Sequence, residues 1–128
     1  MKIKILCLAL LCCASLHAES LTRMVLFKLD LPKGSEAEKA FIEKTMALAK
    51  VPGVEEFAWM NLSEKNTNFN YGVRIVFPDE AALKAYVKNP LHANYIRDTW
   101  KPVVKDMQIM DYTEPRVAAG PAKPARKE

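Results

Sequence analysis

Hydrophobic and polar positions along this chain alternate in some stretches and follow helical spacing in others, and the change from one period to the other marks the elements. From Leu21 to Leu31 the alternation is apolar on both sides: Met24 and Leu26, with Lys28, point one way, and Val25, Phe27 and Leu29 the other. A strand with two apolar faces is covered on both, which predicts a central position in a sheet. Pro32-Lys33-Gly34 turns the chain, and Ser35 with Glu38 three residues on is a capping-box pattern. A helical stripe follows at Ala37, Ala40, Phe41, Ala47 and Leu48, predicting a first helix to about Lys50 that Pro52-Gly53 ends. Alternation returns over about Val54 to Leu62, with Phe57 and Trp59 opposite Ala58 and Met60, and again over Tyr71 to Phe77. The polar, asparagine-rich stretch 63–70 between them reads as the loop of a long hairpin.

Pro78-Asp79-Glu80 then opens a second helix with acidic residues near its positive end, and Ala82, Leu83, Tyr86 and Val87 form its inward face. Pro90 interrupts it. Asn89 suits the cap of a new helix with Pro90 at its first position, where the missing N–H costs nothing, so His92 falls in the first turn. Leu91, Tyr95, Ile96 and Trp100 continue the stripe, Lys101-Pro102 ends it, and Met107 to Thr113 is the last strand. The order β-α-β-β-α-β, with the second helix broken, predicts a ferredoxin-like α+β fold: an antiparallel sheet with helices on one face. Phe57, Trp59, Tyr71, Val73 and Ile75, read as distributed over both faces, exceed what one face needs. Two copies pairing the bare sides of their sheets into a homodimeric barrel is the expected solution.

The two ends differ from this domain. Lys2 and Lys4, the apolar run Ile5 to Ala14 and the small residue Ala18 before Glu19 have the order of a secretory signal peptide over residues 1–18, too short for a permanent anchor. Cys7, Cys12 and Cys13 all lie in it. Their leucine-rich contexts fit lipid attachment poorly, so cleavage near Ala18 and release into the periplasm or outside the cell is expected. The mature chain then has no disulfide, thiolate nucleophile or cysteine metal site. Residues 116–128, with Pro121 and Pro124 among Ala, Gly and Lys, have no means of burying a core and read as a disordered basic tail. The formal charge of +4 is therefore not the domain's own. Lys2 and Lys4 leave with the leader, and the tail carries four basic residues against one acidic, so residues 19–115 hold 13 basic and 14 acidic side chains. That balance gives nucleic-acid binding no support.

Four segments together resemble a known family: Met24-Val25-Leu26-Phe27-Lys28, Gly72-Val73-Arg74-Ile75-Val76-Phe77, the run Ala82-Leu83-Lys84-Ala85-Tyr86-Val87-Lys88-Asn89-Pro90-Leu91-His92, and Met110-Asp111-Tyr112. Over about residues 21–114 the chain resembles the stress-responsive A/B barrel (Dabb) domain. The resemblance implies a dimeric α+β barrel with a cavity between sheet and helices in each subunit. In a plant member that closes a linear polyketide by aldol condensation, a tyrosine and a histidine of the matching helix region line the cavity, helped by a first-strand histidine. Tyr86 and His92 match the first two. Arg23 stands where the first-strand histidine would be, and Asn89 where a histidine often precedes the proline.

Tyr86, His92 and Arg23 are thus the candidate ligand-binding residues, with His92 and Tyr86 the candidate catalytic pair. A first helical turn disfavours imidazolium, keeping His92 neutral and able to take a proton, and the Tyr86 hydroxyl suits a ligand carbonyl. Arg23 suits a carboxylate or enolate oxygen. The plainer readings are a histidine that fixes the helix bend, a core tyrosine and a solvated strand-end arginine. Asp106 and Asp111 are expected to pair near Lys101 or Lys105. With one histidine left after leader cleavage and no phosphate loop or nucleophile elbow, neither a metal nor a cofactor is expected. The favoured function is an exported homodimer with a small apolar cavity, binding a small apolar or aromatic molecule or serving a stress-associated role, without established catalysis. The alternative is a cofactor-independent cyclase, isomerase or monooxygenase-like enzyme using His92 and Tyr86.

Overall fold

Phe27 marks the centre of the molecule. It lies on β1 (Leu21–Leu29) with no solvent exposure, and a computed structural model describes the protein around it from residue 19 to residue 114. The expected leader and basic tail lie outside the described residues. The chain continues through α1 (Glu36–Met46), a 3-10 turn (Ala47–Lys50), β2 (Glu56–Asn61), β3 (Tyr71–Phe77), α2 (Glu80–Lys88), α3 (Pro90–Tyr95), a π turn (Ile96–Trp100) and β4 (Val104–Thr113). The sheet order is β2-β3-β1-β4 with every neighbour antiparallel, so β1 is a central strand as its two apolar faces required. The strand boundaries are tighter than the sequence pattern for β1 and β2, and β4 begins three residues earlier, at Val104.

Register assigns the two faces. Val25 pairs with Val73 and Ile109, and Phe27 with Tyr71 and Met107, on the side the helices cover. Phe57 pairs with Ile75 and Trp59 with Val73 on that same side. The aromatic and branched residues expected on both faces therefore all lie on one. The other face is built instead from Met24, Leu26, Ala58, Met60, Val76 and Met110, with an Arg74–Glu56 ion pair of 3.0 Å among them. Each strand alternates as its sequence predicts, but only the register sets which faces of neighbouring strands coincide.

On the helix side, Phe27 meets Trp100 at 4.6 Å between ring centroids and Trp59 edge-on at 5.5 Å. Such tilted and edge-on contacts suit the ring quadrupoles. α1 turns Glu38, Phe41 and Thr45 inward, with Leu48 beyond them, and leaves Ala37, Ala40 and Ala47 exposed. The sequence stripe was rotated from this face because it counted small alanines as apolar and missed two polar residues that find partners. Glu38 is one of them: its carboxylate accepts from the Tyr71 hydroxyl at 2.9 Å and from the Gly34 N–H at 3.2 Å. The Ser35 half of the capping box forms as expected, Ser35 Oγ accepting from Glu38 N–H. The Ser35 N–H is already given to the Pro32 carbonyl, so Glu38 reaches back to Gly34.

The broken helix forms as the sequence indicated. Asp79 caps α2 by accepting from Ala82 N–H, and Asn89 caps α3 by accepting from Leu91 N–H at 2.9 Å, with Pro90 next. The inward faces are narrower than expected: Val87 is 40% exposed and Leu91 60%. The π turn explains why both Tyr95 and Trp100 are buried. The i→i+5 bond from Lys101 N–H to the Ile96 carbonyl widens the turn, bringing residues five apart onto one side.

Candidate functional site

The bent helix pair does not close over the whole sheet. Between α1, α2, α3, the π turn and the β1–β4 edge lies a cavity of about 610 Å³. Its walls are mostly apolar, among them Val25, Leu48, Phe57, Val73, Ile75 and Trp100. The lining residues Met107 and Ile109 are 50% and 45% exposed, which places the mouth along β4. The volume is in the range that holds small-molecule ligands.

Arg23, Tyr86 and His92 all line this cavity, so the three residues expected from the sequence are brought together. The Tyr86 and His92 rings lie 4.5 Å apart between centroids, and Phe77 supports Tyr86 from behind at 5.2 Å. Tyr86 is buried, and among the described residues its hydroxyl has no hydrogen-bond partner. Burial raises its phenol well above the ordinary value, the nearby Tyr95 adding to this and the Arg23 charge opposing it. It remains a protonated donor at any physiological pH.

His92 has its ring nitrogen Nδ1 at 3.2 Å from the Val87 carbonyl. A carbonyl only accepts, so Nδ1 carries the proton and the neutral ring keeps its lone pair on Nε2. Burial lowers the His92 pKa and the Arg23 charge lowers it further, while the bond to Val87 opposes both. The ring is therefore neutral near pH 7, in agreement with its place in the first turn of α3.

Arg23 is a paired residue of the cavity wall, not a loose strand end. Its Nε and one terminal nitrogen donate to the two carboxylate oxygens of Asp111 at 2.8 and 2.9 Å, across the β1–β4 pair where the two residues stand opposite. The fork holds the Asp111 carboxyl below the usual carboxylate range, the direct hydrogen bonds being the main cause. This corrects the expectation that Asp111 pairs near Lys101 or Lys105. Among the described residues Asp106 forms no ion pair with either lysine; it lies with both at the cavity rim. The remaining N–H groups of Arg23 form no hydrogen bond among the described residues.

Thr45 and Tyr95 also line the cavity, beyond the residues that the sequence nominates. Thr45 shares the inward face of α1 with Glu38 and Phe41, and its polar side chain masks that face in the sequence pattern. Tyr95 was assigned to the apolar stripe, with nothing in the sequence to show what its hydroxyl meets. Among the described residues no group of three or more His, Cys, Asp or Glu has the spacing to hold a metal, and no helix is long and apolar enough to cross a membrane.

The model of the stress-responsive A/B barrel domain matches residues 21–114. The chain belongs to the Dabb family. Among solved structures, this Dabb domain is similar to a Dabb family protein with a ferredoxin-like fold from Mesorhizobium loti, with 27% identity and a TM-score of 0.70, covering 80% of this chain and 100% of that one. It is also similar to a dimeric protein of unknown function from Bacteroides fragilis, at 20% identity and a TM-score of 0.61, covering 74% and 96%. The hydroxynitrile lyase of Passiflora edulis shares the fold at 12% identity and a TM-score of 0.68, covering 77% and 96%. No curated protein matches the sequence.

Proposed function

We propose that this Dabb domain is exported and works as a homodimer that binds a small, largely apolar molecule in the cavity of each subunit, in a stress-associated role without catalysis. The observation that carries the reading is the roughly 610 Å³ cavity, mostly apolar along its walls, with an unpartnered Tyr86 hydroxyl and spare Arg23 N–H groups in its lining. The Tyr86 hydroxyl is open to the cavity, and a ligand oxygen that accepts from it gains a hydrogen bond worth about 0.5–1.5 kcal/mol net. The apolar residues on the helix-free face of the sheet, and the likeness to a dimeric neighbour, support pairing of two copies. The basic start and apolar run of residues 1–14 support export.

Thermal denaturation of the mature protein against aromatic and alicyclic ketones tests the binding. A ligand at a hundred times its Kd adds about 2.7 kcal/mol of stability, an easily read rise in Tm. At least one ketone is expected to do this, with Tyr86→Phe reducing its affinity about tenfold. Absence of any shift across a broad panel overturns the reading.

A second reading, a cofactor-independent enzyme, is favoured by the neutral imidazole beside the phenol. His92 Nε2 has the lone pair to take a proton from a carbon next to a carbonyl, while Tyr86 and Arg23 donate to the oxygen where negative charge grows. That step begins an isomerisation or an aldol cyclisation. Its signature is exchange of the ketone's α-hydrogen for solvent deuterium, lost in His92→Gln while binding persists. Exchange no faster than in buffer leaves the binding reading alone.

A further inference from the structure

The cavity lining holds a second polar group, opposite in hydrogen-bonding character to Tyr86 and Arg23. Thr45 on α1 and Tyr95 on α3 both line it, and their hydroxyl oxygens meet at 2.6 Å. Thr45 Oγ1 also lies 2.7 Å from the carbonyl of Phe41. A threonine hydroxyl has one proton and a carbonyl can only accept, so that proton is committed to Phe41. Both contacts are satisfied only if Tyr95 donates its own proton to Thr45 Oγ1. The Tyr95 hydroxyl, spent as a donor, then offers a ligand nothing but lone pairs. Burial raises its pKa to about 12, so it stays a neutral phenol throughout the working range of pH.

Arg23 and Tyr86 are the reverse. Tyr86 has a proton and no partner, and Arg23 has N–H groups beyond those that hold Asp111. The guanidinium charge is already matched by the Asp111 carboxylate, so these donors call for a polarisable neutral oxygen more than for a second anion. Donors and an acceptor thus line one cavity whose remaining walls, among them Val25, Leu48, Val73 and Trp100, are apolar.

We infer that the cavity selects molecules that carry both an oxygen acceptor and a hydroxyl donor, a hydroxyaryl ketone being the simplest, and that Tyr95, locked by Thr45, is the residue that reads the hydroxyl. The inference rests on the reading of the cavity as a small-molecule site and specifies its ligand class. An analogue without the hydroxyl leaves the Tyr95 oxygen facing apolar carbon. One with a carbonyl in that place sets two acceptors against each other. Sites built around a ligand hydroxyl discriminate strongly for this reason.

Titration calorimetry on the full chain with acetophenone, para-hydroxyacetophenone, para-diacetylbenzene and para-hydroxybenzoate tests it. The hydroxy ketone is expected to bind about tenfold more tightly than acetophenone, and more tightly than the benzoate. Tyr95→Phe is expected to erase the preference for the hydroxyl. Thr45→Val keeps the side-chain shape but frees the Tyr95 proton, so the diketone should gain on the hydroxy ketone, a reversal that loss of packing alone does not produce. Preference for the hydroxyl that survives Tyr95→Phe, or an unchanged ranking in Thr45→Val, overturns the inference while the binding site stands. A tighter benzoate overturns the choice of a neutral oxygen. If no probe binds, this inference falls together with the reading it rests on.

Discussion

At the residue scale the site is a set of proton assignments made by geometry. Val87 fixes the tautomer of His92, Phe41 fixes the rotor of Thr45, and Asp111 takes two of the donors of Arg23. His92 is the most directly testable of these, because His17 is the only other imidazole in the chain. Its folded pKa lies below the ordinary 6.5, for reasons of burial and the Arg23 charge. The unfolded chain therefore binds more protons just below pH 6.5, and His92 stabilises the fold less as the pH falls through that region. NMR titration should show a midpoint below 6.5, and Arg23→Gln should raise it, both by removing a positive charge and by leaving Asp111 unpaired. A midpoint that does not move places Arg23 too far from His92 to matter. The sequence already nominated His92, Tyr86 and Arg23. It had no way to show that Asp111 would serve Arg23, since the two are 88 residues apart and only strand register sets them opposite each other.

At the element scale the decisive device is the break between α2 and α3. Asn89 ends one helix and caps the next, and Pro90 needs no N–H partner in the first turn. That change of direction puts the His92 ring against Tyr86. Asn89→Ala should remove one cap bond at a cost of about 1 kcal/mol, lowering Tm by about 5 °C in a domain of this size. It should also weaken ketone binding, because His92 loses its support. Thermal melts and titration of the same variant check both, and a drop in Tm with unchanged affinity would separate the cap from the site. This break was legible because caps and prolines are local chemistry. The inward face of α1 was not: Glu38 and Thr45 are polar, and they are buried only because Tyr71, Gly34, Phe41 and Tyr95 satisfy them. No count of apolar residues along one helix reports partners on other elements. The π turn was equally hidden, since no capping or proline signal marks its i→i+5 bond, which accompanies the burial of both Tyr95 and Trp100.

At the scale of the whole molecule, the sheet separates two surfaces with different tasks. The helix side holds the aromatic cluster around Phe27 and the cavity, and the other side carries Met24, Leu26, Met60 and Met110. If two copies pair through that second side, Leu26→Glu should convert the dimer to monomer, and light scattering coupled to size exclusion should read the halved mass. A variant that remains a dimer puts the interface elsewhere. Gly72, next to this surface, has a matching constraint: a Cβ there would stand 2.7 Å from the Met60 side chain and 3.2 Å from the Val25 carbonyl. Taken alone, the sequence determined the order of elements, the central place of β1, the helix break and the identity of the residues around Tyr86, because periodicity, capping and proline chemistry act within a few neighbours. The tertiary structure alone decided which strand faces coincide, which carboxylate holds Arg23, and that Thr45 and Tyr95 meet in the cavity lining. Those facts depend on residues distant in the chain meeting at hydrogen-bond range, and spacing along a single strand or helix carries no record of such meetings.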